Sequence, residues 1–291
     1  MDGQLATAAT IVAHTRAWRA GRSSKPKFTR LGAFRYARDI QMDMPVGLVI
    51  PGRERYKPGA VRRWLDWMPR FKARDLRIGV VGGAIRGENL EELARMATFS
   101  PLGFTVVDTR RRHTAWLAER LPTRAGAQSF ELWSVRLRRV RDTSLPPEVS
   151  VAQATENLRK VLKAASDLAR IEPSLNPWHS YLTQALVSLD SEQYQKSEMD
   201  ILPSEGYSDD AHRLVLAARR AWVFGAVGSW MDTVPKDKRL VAAHRKISAE
   251  LYACLVEAII SAVNFGLEEG EGQPKRGVAK KATRSGKRAK A

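Results

Sequence analysis

The sequence has little of what would fix a disulfide scaffold or a metal centre. Its 291 residues include one cysteine, Cys254, which excludes an internal disulfide framework and any zinc site built from several cysteines. Five histidines, His14, His113, His179, His212 and His244, are scattered without a second ligand residue at metal-binding spacing. No run approaches the ~18 consecutive apolar residues of a membrane span. Residues 1–20 lack the early charge, long apolar run and cleavage motif of a secretory leader. G-x-G-x-x-G, a P-loop with its Lys-Ser/Thr, and G-x-S-x-G are all missing. No metal and no cofactor is expected, no catalytic residue stands out, and the cytoplasm is the default compartment. Cys254 reads as a small buried hydrophobe.

Acidic charge is the next shortage. Lys and Arg number 49 against 31 Asp and Glu, a formal net charge of +18. The imbalance is regional: residues 1–150 carry a net +14, residues 151–271 a net −4, and residues 272–291 hold eight cations and no carboxylate. Asymmetry of this kind points to nucleic acid or another polyanion as partner. Hydrophobic residues make up 44% of the chain, enough to build a core.

Hydrophobic periodicity divides the chain further. Residues 1–30 read as a short helix, with Leu5, Ile11, Val12 and Trp18 toward one side, followed by a solvated Ser-Ser-Lys-Pro-Lys linker. The basic bias of that segment only faintly matches an organelle transit peptide. Residues 31–145 read as an α/β domain. It comprises strand Val46–Ile50, a helix with Val61, Trp64, Leu65 and Met68 on one face, strand Leu76–Val81, a helix with Leu90, Leu93, Ala94 and Ala97, and strand Phe104–Val107. That strand–helix–strand–helix–strand order predicts a short parallel sheet. Thr114–Leu121 reads as another helix. Phe130–Val140 reads as an edge strand crowded by Arg136, Arg138, Arg139 and Arg141, with a bulge near Trp133 where the alternation slips.

Beyond Pro146-Pro147 the period is helical, and residues 150–267 predict an all-α four-helix bundle. Ser150 with Gln153 can form a capping box at its start. Apolar stripes follow from Val151 to Leu168 and from Trp178 to Leu189. A third helix is capped by Ser208 and reaches Trp222, and the last runs from about Asp237 to Leu267. Residues 268–291 are low-complexity and rich in Lys and Arg, so a disordered basic tail is expected.

The segment Ala221-Trp222-Val223-Phe224-Gly225-Ala226-Val227-Gly228-Ser229-Trp230 precedes the long helix that holds Leu251-Tyr252 and Ile259-Ile260. It resembles uncharacterised bacterial proteins that share this AWVFGxxGSW helical module. The resemblance covers the last third of the chain before the tail; it implies a bacterial, cytoplasmic origin and brings no activity. The tail is similar, in composition, to the Lys/Ala-rich arms of bacterial nucleoid-associated proteins.

Two candidate sites emerge. In a parallel sheet a ligand sits beyond the carboxyl ends of the strands. There Arg53, Gly82, Gly83, Arg86, Asp108 and Arg110 can take a phosphorylated or otherwise anionic small molecule, the glycines admitting it to the backbone and the arginines binding it bidentately. The plainer reading of that set is tight turns and solvated arginines. The second candidate is a polyanion surface that mixes cations with aromatics, as in Arg53-Glu54-Arg55-Tyr56-Lys57. It comprises Arg55, Lys57, Arg111 and Arg112 together with Lys275, Arg276, Lys280, Lys281, Arg284, Lys287, Arg288 and Lys290 of the tail. Such a surface holds nucleic-acid phosphates without sequence preference and leaves the helical domain for a protein partner or self-association. The sequence favours the second site.

Overall fold

The computed structural model describes residues 3–34, 37–46, 55–68, 73–81, 102–108, 113–122, 133–140, 143–144, 147–192, 201–225 and 229–268. Among these, seven strands pair into one sheet: β1 Ala37–Val46, β2 Arg55–Ala60, β3 Ala73–Val81, β4 Leu102–Asp108, β5 His113–Pro122, β6 Trp133–Val140 and β7 Thr143–Ser144. Their order is β2-β1-β6-β5-β4-β3-β7. β1 and β6 are parallel, whereas every other pair in that order is antiparallel. An α/β layout followed by helices is therefore present, but the sheet is mixed rather than parallel. The apolar runs in β3 and β4 reported burial, and burial does not specify strand direction. The helix expected between them falls outside the described residues, as do Gly47–Ile50 of the first expected strand.

Two further expectations change. Thr114–Leu121 is not helical; it is most of β5. Ala115, Trp116 and Ala118 are all buried, so both faces of this central strand are covered and its alternation is hidden. Nor is Phe130–Val140 an edge strand, because β6 lies between β1 and β5. Its cations are met by neighbouring carboxylates: Arg138 Nε donates to Glu119 Oε1 at 2.7 Å, and Arg136 Nη2 lies 3.5 Å from Asp43 Oδ1. The slip near Trp133 corresponds to a register shift, with the additional residue between Ala37 and Asp39 of β1.

The registers put Ile40, Met42, Leu76, Ile78, Trp116, Ala118, Val135 and Leu137 on one face, all buried. Helix α1 spans Gly3–Arg19 and α2 spans Val61–Trp67. From α2, Trp64 meets Trp116 edge-on with ring centroids 6.0 Å apart, while Arg62 and Arg63 are exposed. Two residues separate β6 from β7, a step of at most ~11 Å. In a flat sheet of this order β7 would lie four strand spacings, ~19 Å, from β6. The sheet is therefore rolled.

α1 lies against β3, β4, β5 and the last helix of the chain. Far from being apolar on one side, it is buried nearly all round: Leu5, Ala8, Ala9, Ile11, Val12 and Ala13 are wholly inaccessible. Its many alanines let the backbone approach the sheet closely. Gly21, at φ +72°, ends it in a Schellman turn, with Arg22 N–H donating to Ala17 O at 2.9 Å. The linker expected to be solvated is pinned instead: Lys25 pairs with Asp66 of α2 and lies 5.8 Å over the Trp18 ring.

Four helices complete the chain: α3 Val151–Ile171, α4 Asn176–Asp190, α5 Asp209–Arg220 and α6 Val241–Phe265. Ser150 Oγ accepts from Gln153 N–H at 3.1 Å, but the Gln153 side chain turns to Asn157, so one half of the capping box forms. Ser208 caps α5 by accepting from Ala211 N–H at 3.2 Å. α5 stops before Trp222, and Gly225, at φ +88°, takes the chain into a loop. Trp222 stands edge-on to Tyr252 there, while Trp230 is fully buried and donates to Ser248 Oγ at 2.6 Å. The helical stretch Lys238–Phe265 is long and apolar enough to cross a membrane, yet 67% of its apolar window is buried. It is the core helix here, packed against α1, α3, α5 and β3. Each fully buried Leu or Ile along it contributes ~1.5–3 kcal/mol of transfer free energy.

Candidate nucleic-acid interface

Strand direction sorts the connections into two groups. Val46 pairs with Arg55, Ala73 with Asp108, Val107 with His113 and Ala115 with Val140. The ends of β1, β4 and β6 therefore share one end of the sheet with the starts of β2, β3 and β5. The connections that begin or finish there, 47–54, 69–72, 109–112 and 141–142, contain seven cations and two carboxylates in sequence. Those at the far end, 82–101 and 123–132, contain three cations and four carboxylates. In sequence, then, the cations fall mainly in the connections that flank the ends of β1, β4 and β6.

Of the small-molecule crevice expected at Gly82-Gly83 and Asp108, only Asp108 is among the described residues. That site needed Gly82-Gly83 beside Asp108, as at the shared carboxyl edge of a parallel sheet. Asp108 instead pairs with the first residue of β3, and Gly82 follows the last. Eight residue steps along a strand separate the two positions by ~26 Å. Arg53, Gly82, Gly83, Arg86, Arg110, Arg111 and Arg112 lie outside the described residues, as do Lys275, Arg276, Lys280, Lys281, Arg284, Lys287, Arg288 and Lys290. Arg55 and Lys57 are placed: both belong to β2 at the edge of the sheet, opposite Val46 and Met44. Cations and Pro58 on an edge strand also discourage pairing with another chain.

Beside the start of β3 lies a polar seam that the sequence reading missed. Arg16 Nη1 donates to Asp75 Oδ1 at 2.9 Å and to Leu76 O at 2.8 Å, while its Nη2 donates to Asn264 O at 2.9 Å. Asp75 Oδ2 accepts from Arg77 Nε at 2.6 Å, and Arg77 continues to Glu148 Oε1 at 2.6 Å. Burial opposes the charge on Arg77, but Glu148 and Asp75 outweigh it and raise its pKa. Arg19, one turn beyond Arg16, has its pKa lowered by partial desolvation, with Asp75 supporting the charge and Arg16 opposing it.

Asn264 closes the seam. Its Oδ1 accepts from Ile78 N–H at 2.9 Å and its Nδ2 donates to Ile78 O at 3.1 Å, so the side chain acts as a piece of strand beside β3. Tyr207 OH donates to Val263 O at 3.1 Å, and burial raises its pKa. The available signal in sequence was one amide in the apolar stripe of the longest helix.

In the helical half, charges are matched locally. Arg159 holds Asp190 with two donors at 2.7 and 2.8 Å, Arg213 holds Asp210 at 2.5 Å, and Arg239 holds Asp237 at 2.7 Å. Two shallow grooves are present, of ~550 Å³ beside His179, Val187 and Arg220 and ~440 Å³ among Glu156, Arg159, Asp190 and Asp210. Among the described residues no three His, Cys, Asp or Glu side chains gather as a metal site. The His244 ring lies 5.1 Å from that of Trp230, tilted by 44°, and burial lowers its pKa. Glu172 ties two loops together, accepting from Ser174 Oγ at 2.7 Å, Ser174 N–H at 3.1 Å and Asp237 N–H at 3.3 Å. Those donors, led by the Ser174 hydroxyl, lower its pKa to about 2.

Compared with family models, with curated proteins and with solved structures, the chain matches none.

Proposed function

We propose that this protein binds nucleic acid through its phosphates, without reading sequence, and that it does so in the cytoplasm. The basic end of the sheet makes the contacts, together with the cationic C-terminal segment. The helical half serves a protein partner or self-association. What supports this reading is sequence charge taken with the register: Arg55 and Lys57 belong to the edge strand β2, and the connections that begin or finish at the ends of β1, β4 and β6 hold seven cations and two carboxylates in sequence. Charge gathered on one end of a fold acts on a polyanion far more strongly than the same charge dispersed.

The test is binding of a labelled random duplex and a labelled single strand across a salt series. Submicromolar affinity at low salt is expected. Contacts to ~6 phosphates would weaken it by about 10³ between 50 and 200 mM salt. Reversing Arg55 and Lys57 to Glu should lower the affinity for both probes alike and flatten the salt slope. Binding that is equally weak at low salt with and without the reversal would retire the proposal.

A further inference from the structure

We infer that the cationic shoulder formed by the end of α1, the linker that follows it and the solvent face of α2 seats the phosphates of a double-stranded nucleic acid. This rests on the polyanion reading above. It adds a surface built from placed side chains and a preference for duplex over single strand.

The shoulder starts from an imbalance in sequence. Residues 3–34 contain six cations, Arg16, Arg19, Arg22, Lys25, Lys27 and Arg30, and no Asp or Glu. Any carboxylate for them must come from elsewhere in the fold. Arg16 meets Asp75 and Lys25 meets Asp66. Among the described residues no carboxylate pairs with Arg22, Lys27 or Arg30.

Folding brings two further cations to the same place. Val61, Trp64, Leu65 and Met68 turn α2 onto the sheet, which leaves Arg62, Arg63 and Asp66 exposed. Arg62 and Arg63 precede Asp66 by one helical turn, ~5–6 Å between Cβ atoms. Because Asp66 also holds Lys25, the linker lies against this face of α2. From Lys25, Arg22 is three residues back and Arg30 five ahead, at most ~11 and ~18 Å along the chain. Both flanks are anchored. The backbone of Arg22 closes the turn after α1, and Gly206 approaches so closely that an added Cβ would lie 2.7 Å from the Arg22 Cβ. Beyond Lys27, Phe28 and Phe34 are buried edge-on at 5.8 Å. Elsewhere the fold gives its arginines carboxylates, as with Arg77 at Asp75, Arg138 at Glu119 and Arg159 at Asp190. On the shoulder it crowds like charges together, and a bound polyanion relieves their repulsion.

The rings of the shoulder decide which polyanion. Single-strand surfaces stack bases on open aromatics. Here Phe28 and Phe34 face each other, Trp64 is buried on Trp116, and half-buried Trp18 already carries Lys25 over its ring. With phosphate contacts alone, the denser charge wins, and a duplex carries one every ~1.7 Å against ~3.4 Å along a single strand.

The experiment titrates labelled duplex and single strand of equal length with the full chain and two full-length variants. One carries Lys27→Glu, Arg30→Glu, Arg62→Glu and Arg63→Glu. The other moves the net charge equally through four exposed cations of the helical half, Lys160→Glu, Lys163→Glu, Arg170→Glu and Lys246→Glu. The unmodified chain should favour the duplex by about tenfold. The shoulder variant should lose on the order of 100-fold for the duplex, with a salt slope shallower by about 3–4, and the matched variant less than about 5-fold. If the shoulder variant fails to fold by circular dichroism, Arg62→Gln with Arg63→Gln replaces it, with a slope shallower by about 2. Equal losses in both variants, no loss in the shoulder variant, equal affinity for the two probes, or tighter binding to phosphatidylserine vesicles than to duplex would overturn the inference. No binding of either nucleic acid by the unmodified chain at low salt would remove the polyanion reading itself.

Discussion

The two halves of this chain handle charge and hydrogen bonding in opposite ways. In residues 151–268 the partners lie close in sequence or on the adjoining helix: Arg159 with Asp190, Arg213 with Asp210, Arg239 with Asp237, and Ser150 and Ser208 capping their own helices. In residues 1–150 the decisive partners are far apart. Arg16 reaches Asp75 and Asn264, Asp43 accepts from Arg139 N–H, and Asn264 stands in for a strand beside Ile78. Local pairing leaves the helical half nearly neutral and self-contained. Distant pairing makes the sheet half depend on the rest of the chain.

That contrast can be broken most forcefully at Asn264. Replacing it with Ala leaves the N–H and C=O of Ile78 without their partner in a buried place, and the expected loss is about 2–4 kcal/mol. Urea unfolding monitored by tryptophan fluorescence and by far-UV circular dichroism should lose its coincidence, since the seam would no longer couple sheet to bundle. A change smaller than about 0.5 kcal/mol would mean that the seam does not hold the halves together. Ser208→Ala, a local change, should cost about 1 kcal/mol and leave the two probes coincident.

Glu172 should show the clearest pH signature. Its pKa is about 2 in the fold, against roughly 4.3 in an unfolded chain. A lowered carboxyl pKa contributes stability that is fully present above the unfolded value and is lost as pH falls through the folded one. The unmodified protein should therefore weaken between about pH 4.3 and 2 from this group. Glu172→Gln should be less stable near neutrality and flatter in that window. A variant whose acid limb retraces the unmodified curve would show that the loop knot contributes nothing.

The same contrast explains what could be read from sequence. The stripe of α2, with Val61, Trp64, Leu65 and Met68, matches the buried side of a real helix because 3.6-residue spacing is a local property. So does the stripe of α3 from Ala154 to Leu168. β5 was misread because Ala115, Trp116 and Ala118 are buried from both faces, which erases the two-residue period. Strand direction was misread because Leu76–Val81 and Phe104–Val107 are apolar whichever way their neighbours run. Arg55 and Lys57 were legible as cations, but their place on the edge strand was not.

The burial of α1 has a consequence for synthesis. Arg16 is completed only by the carbonyl of Asn264, 248 residues later in the chain. At 5–20 residues per second, a ribosome needs roughly 12–50 s to bridge that separation. Throughout that interval the alanine-rich helix lacks the cover of α6, and until β5 is made it lacks the sheet as well, so apolar surface such as Leu5, Ile11 and Val12 stays open to other nascent chains. A protein built this way depends on a holding chaperone or on fast translation, and slowing elongation should send more of it into aggregates.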